Sequence, residues 1–150
     1  MFITLEKFSN LFDNVKRTLI DGVRYYVLED EKVMYPSITS VLSWVNRKKW
    51  ADWQSKVGLE EANRKRKHST TRGTNFHTLT EIYLKNEDYK SHKAYQIPLV
   101  NLMFNSAKKD LDSRISNIHV QEGFMYSHKF GVAGTVDLIC DFDGELAVVD

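Results

Sequence analysis

Hydrophobic and polar positions along the chain switch between a strand rhythm and a helix rhythm. Near the start, VRYYVLEDEKVMYPSIT sets β-branched and aromatic residues at Val23 to Leu28 and Lys32 to Tyr35 around a polar Glu29-Asp30-Glu31 turn, the pattern of a β-hairpin. Pro36 closes the second run, and Ser37 is placed to cap a helix beginning PSITSVLSWV. The helical reading continues from Asn46 to Lys67. Ser69-Thr70-Thr71, polar and β-branched, is expected to break it before a new helix starts at Arg72-Gly73-Thr74. In TNFHTLTEIYLK the residues Phe76, Leu79, Ile82 and Tyr83 recur at three- and four-residue spacing and predict one apolar face. Asn86 to Tyr95 reads as a polar connector. From Ile97 to about Arg114, Leu99, Leu102, Met103, Ala107 and Leu111 predict a further helix. After Ser116 the rhythm returns to strands: HVQEGFMYS, GVAGTVDLICDF and ELAVVD, separated by short polar or glycine turns.

This order, a hairpin, several helices and three consecutive strands, predicts one α/β (α+β) domain. The length of 150 residues, with 42% hydrophobic and 27% charged residues, fits a single globular unit. No apolar run approaches the roughly 18 residues that cross a bilayer. MFITLEKFSNLFDNVKR lacks the basic and apolar regions of a secretory leader, and the single cysteine, Cys140, lies in an apolar run. An intracellular, cytoplasmic protein without a membrane partner is the expectation. Charge sharpens the picture. Trp44 to Arg72 holds nine Lys/Arg against three acids, a net +6, while Gly134 to Asp150 holds five acids and no Lys or Arg. A polyanion-binding surface beside a cation site would carry such a division, and so would two solvated faces of opposite sign.

The acids in the last strands carry the candidate chemistry. Asp137 interrupts Val136, Leu138 and Ile139, and Asp150 follows Ala147-Val148-Val149. An unpaired carboxylate in such a run costs several kcal/mol of desolvation. If the two strands pair antiparallel about Asp143-Gly144, positions 137 and 150 become cross-strand neighbours. Their mutual repulsion is then relieved by a hard divalent cation. The same residues also allow a purely structural reading, with Asp137 bonded to a backbone or arginine group. His77 and Glu81, one helical turn apart, share a face with Thr74 and Thr78.

R-G-T-x-F-H-x-x-x-E-x-x-L, a strand with Glu122 followed by G-x-x-D, and a final L-A-V-V-D resemble the PD-(D/E)XK nucleases. The nearest likeness is to the RecB-like exonuclease branch, which includes mitochondrial and phage exonucleases. Y-P-S-I-T-S-V-L-S-W and the basic, Trp-bearing segment after it add to it, so the likeness runs from about Tyr35 to Asp150. It implies a restriction-endonuclease-like core over residues 36–150, preceded by a hairpin-bearing extension over 1–35. It implies Mg²⁺ or Mn²⁺ held by His77, Asp137 and Asp150, and catalytic roles for Asp137, Asp150, Glu81 and Glu122. Glu81 would polarise or position, and Glu122 would be a strand acid of less defined role. It also implies a lysine two positions after the second acid and a helix beyond it, and Asp150 is the last residue here. Two expectations follow: a nuclease completed by a second polypeptide that supplies the lysine strand, or an inactive DNA-binding or assembly protein. Self-association is a further route to a complete site.

DNA is the expected partner. Lys48 and Lys49 are set beside Trp50 and Trp53, which allows phosphate contact with base stacking, although both indoles also fit a core or wedge role. Arg64, Lys65, Arg66 and Lys67 form a basic run. Arg72 and Thr74, at the expected start of the His77 helix, would approach the scissile strand. No residue set reads bases, so recognition is expected to depend on backbone and strand ends, including single strands, rather than on sequence.

Overall fold

A computed structural model describes residues 1–4 and 15–150. Residues 5–14, part of the N-terminal extension and of the stretch MFITLEKFSNLFDNVKR, lie outside the described residues. Strand β1, Ile3–Thr4, comes first, followed by a three-stranded antiparallel meander: β2 (Val15–Ile20), β3 (Val23–Leu28) and β4 (Val33–Pro36). The predicted hairpin is β3–β4. Strand β2 was not expected, yet Asp21-Gly22 between two apolar runs carries its signal. Both residues have positive φ, 50° and 78°, which a tight two-residue hairpin loop requires.

Ser37 caps α1 (Ile38–Val45) as expected, its hydroxyl accepting from the Ser40 amide at 3.1 Å. Helix α2 spans Arg47–Val57 and α3 spans Leu59–Leu84. The expected break at Ser69-Thr70-Thr71 is overturned, because α3 runs through it without interruption. The chain breaks instead at Gly58, where φ is +85° and ψ is 150°, a conformation essentially restricted to glycine. Threonine in a helix costs only tenths of a kcal/mol per residue, which the packing of Leu79 and Leu84 readily outweighs. The connector over 86–95 contains the start of a 3₁₀ turn, Lys93–Gln96, and α4 spans Pro98–Arg114. Its buried face is Val100 and Phe104, while Leu99 and Leu102 are exposed, so the predicted stripe was rotated by about one residue.

Strands β5 (Ile115–Ser127), β6 (Val132–Phe142) and β7 (Glu145–Val149) form the predicted antiparallel sheet. Strand β1 adds to it in parallel at Asn117 and Ile118, giving the order β1-β5-β6-β7. One core joins this sheet to α3 through Leu84, Ile118, Leu138 and Cys140. A second, of Leu79, Ala94, Val100 and Phe104, lies where α3 meets α4 and the 3₁₀ turn, and a third, of Tyr26, Leu28, Phe124 and Ala133, ties the meander to β5–β6. The molecule is mixed α and β, with four α-helices and two sheets among the described residues.

Candidate metal centre and nucleic-acid interface

Register brings the acids together. Leu138 pairs with Val149 and Phe142 with Glu145, so the β6–β7 hairpin turns about Asp143-Gly144 and one further step sets Asp137 opposite Asp150. On the other side of β6, Gln121 pairs with Leu138 and Gly123 with Val136, which sets Glu122 opposite Asp137. Three carboxylates therefore cross the sheet in one row. Like charges in facing positions repel, so nothing in sheet packing itself favours this arrangement.

Local backbone features hold the row. Glu122 has φ +53°, an uncommon conformation for a residue with a Cβ. A Cβ on the neighbouring Gly123 would stand 2.0 Å from Val120 Cγ1, so only glycine fits beside it. Gly134, the glycine of G-x-x-D, admits α1, since a Cβ there would stand 2.9 Å from Ile38 Cγ2. Helix α3 lies across the same strands, and Gln121 Nε2 donates to the Glu81 carbonyl at 2.9 Å. One turn earlier, His77 Nδ1 stands 2.9 Å from Asp137 Oδ2.

One ligand atom from each of His77, Glu122 and Asp137 lies within 4.8 Å of the other two. These residues, with Thr74, Thr78 and Glu81, line a cavity of about 430 Å³. Burial raises the Asp137 pKa, the His77 ring opposes that rise, and the hydrogen bond and charge of Asp150 add to it. A hydrogen bond between two carboxyl groups needs a proton on one of them. Glu122 is also raised, by partial burial first and then by the charges of Asp137 and Glu81. Two strand acids that resist ionisation beside an imidazole form a site that a divalent cation would relieve.

The predicted residues divide into groups. His77, Asp137 and Glu122 converge, and Asp150 touches Asp137 but stands outside the trio. The Glu81 carboxylate turns to Lys85 Nζ at 2.5 Å. A second, larger cavity of about 1160 Å³ lies among α1, α2 and α3, and Trp50, Trp53, Arg64, Lys65, Arg66 and Arg72 line it. Lys48, Lys49 and Lys67 are exposed on the helices but outside that lining, while Thr74 faces the smaller cavity. Arg64 and Lys65 are tied to Glu61 at 2.7 and 3.5 Å. The expected helix start at Arg72-Gly73-Thr74 is corrected: this is mid-helix, its amides are engaged within α3, and any anion contact there falls to side chains. Arg47, His68 and Asn63, not singled out as contacts, also line the larger cavity. Arg47 was legible as part of N-R-K-K-W, whereas Asn63 and His68 become partners only because Gly58 folds α3 back along α2.

The chain matches no family model, no curated protein and no solved structure. No helix among the described residues is long and apolar enough to cross a membrane.

Proposed function

We propose that this chain carries the metal centre of a nuclease that hydrolyses DNA phosphodiester bonds. The observation that supports it is the row of Glu122, Asp137 and Asp150 across three strands with His77 brought onto it from α3. In this reading the β5–β6–β7 sheet and α3 are the restriction-endonuclease-like core, and the meander is an extension packed on it.

The donor set fits a divalent cation. Carboxylates suit Mg²⁺ and Mn²⁺ alike, and the imidazole tilts preference toward Mn²⁺. His77, Glu122 and Asp137 would hold it, with Asp150 as a further oxygen donor. The bound cation would polarise a phosphate and lower the pKa of its water. The protein's own contributions are to fix the ligands on paired strands and to offer Thr74, which lines the same cavity, for a phosphate oxygen. The outer edge of β7 has no strand partner among the described residues. A further strand added there would bring a cation beside Asp150 to stabilise developing negative charge.

Degradation of a fluorescent oligonucleotide with Mn²⁺ or Mg²⁺ tests the reading, with the chain alone and with a polypeptide supplying a lysine-bearing strand. The expected result is cleavage with the added strand, reduced at least about 100-fold without it and lost with Asp137→Ala. Binding of DNA with no cleavage under any of these conditions would favour the inactive DNA-binding or assembly reading.

A further inference from the structure

The larger cavity is chemically unlike the metal centre. Its walls are α2 and the first half of α3, which Gly58 turns back alongside each other. Arg47, Trp50 and Trp53 line it together with Arg66, His68 and Arg72, and no Asp or Glu among the described residues lines the cavity. The two indoles meet edge to face at 5.8 Å between ring centroids, and Trp50 remains 59% exposed. An exposed indole, Trp50, and a half-buried one, Trp53, beside the guanidinium groups of Arg47, Arg66 and Arg72 offer a stacking surface and phosphate contacts in one cleft, while Arg64 and Lys65 on the same wall are tied to Glu61. At about 1160 Å³ it exceeds the roughly 300–1,000 Å³ of a small-molecule pocket and suits a length of polymer.

The cleft also leads to the metal centre. Arg72 borders it, and the next residue, Gly73, lines the smaller cavity. From Arg66 to His77 is 11 helical residues, about 16 Å at 1.5 Å per residue, the reach of a few nucleotides.

We infer that the α2–α3 cleft holds unpaired nucleotides of a single-stranded DNA segment, stacking bases on Trp50 and Trp53 and leading the strand along α3 toward the metal centre. The inference rests on the proposed nuclease reading for the choice of DNA, but not for the binding mode. A duplex hides its base faces, so it cannot use the indoles. Phosphates alone engage the arginines but forgo the stacking.

The test is carried out with the full chain in EDTA, so that neither metal binding nor cleavage enters. Fluorescence anisotropy compares a labelled 12-nucleotide oligothymidylate, the same backbone with abasic sites throughout, and a blunt 12-base-pair duplex. Stacking contributes about 1–3 kcal/mol per base, so the oligothymidylate should bind at least about 5-fold more tightly than either competitor. It should also quench tryptophan emission. Trp50→Ala and Trp53→Ala should each remove most of the preference over the abasic strand while the circular dichroism spectrum is unchanged. Lys48→Ala with Lys49→Ala, outside the cleft, should lower affinity for all three probes alike and keep the preference. Equal affinity for thymidylate and abasic strands, or tighter binding of the duplex, would overturn the inference and leave only a phosphate-binding surface. Because metal is absent, failure here leaves the metal centre untouched, and a failed cleavage assay leaves this result standing.

Discussion

Asp137 stands opposite Glu122 on one side and Asp150 on the other, so ionising it in the metal-free protein works against folding. Its folded-state pKa is raised, chiefly by burial, above the value in the unfolded chain. Between the two values the folded state binds more protons, so this residue's contribution to stability improves as pH falls and is lost as pH rises through the raised value. Asp137→Asn should therefore stabilise the metal-free protein at neutral pH by up to about 1 kcal/mol, a rise of about 2–4 °C in thermal midpoint. Metal affinity should move the other way, weakening as pH falls into the raised range of Asp137 and Glu122, where protons compete for the ligands. Scanning calorimetry with and without Mn²⁺ at two pH values checks both. A variant no more stable than wild type without metal would remove the strain from the account. Gly123 gives a second outcome at this scale. Alanine there would meet Val120, whose branched side chain is 9% exposed and has little room to shift. Overpacking of this kind costs about 1–3 kcal/mol. Gly123→Ala should lower stability by that amount in denaturant melts and weaken Mn²⁺ binding with it, since Glu122 is its neighbour on the strand.

Among the elements, α3 links the two sites. One continuous 26-residue helix carries Arg66 and Arg72 at the cleft and His77 at the proposed metal centre. Its basic side chains predict an electrostatic contribution to DNA binding. Affinity should fall linearly on a logarithmic salt axis, with a slope of roughly −0.7 per phosphate neutralised for a single strand. Reversing charge at Arg64, Lys65, Arg66 and Lys67 should flatten that slope, and a salt-independent affinity would exclude the basic helices as the contact surface. Most elements were legible from periodicity, including the Ser37 cap, α4 and the β6–β7 register about Asp143-Gly144. Local propensity misled at Ser69-Thr70-Thr71, which are exposed and cost the helix too little to end it, and Asp21-Gly22 carries a second hairpin beside the predicted one. The acids and His77 were legible because each breaks an apolar or helical pattern. The cleft was not, because its walls are two helices whose approach depends on the backbone of Gly58.

For the molecule as a whole, the proposed ligands are widely spaced in sequence, at 77, 122, 137 and 150, and only the completed sheet with α3 against it assembles them. An unfolded chain has no such site, so binding there stabilises the native state by an amount that grows with the metal concentration relative to its dissociation constant. Under the proposed function the opposed charges of the chain would have separate tasks: the basic helices would hold a strand, and the acidic sheet would hold the cation that acts on it. Calorimetric titration of Mn²⁺ into wild type, His77→Ala and Asp137→Ala tests that cation site most directly. The account predicts saturable binding to the wild-type chain, weakened at least about 10-fold in each variant, as loss of a ligand of this kind should produce. Superimposable isotherms for all three proteins would contradict it.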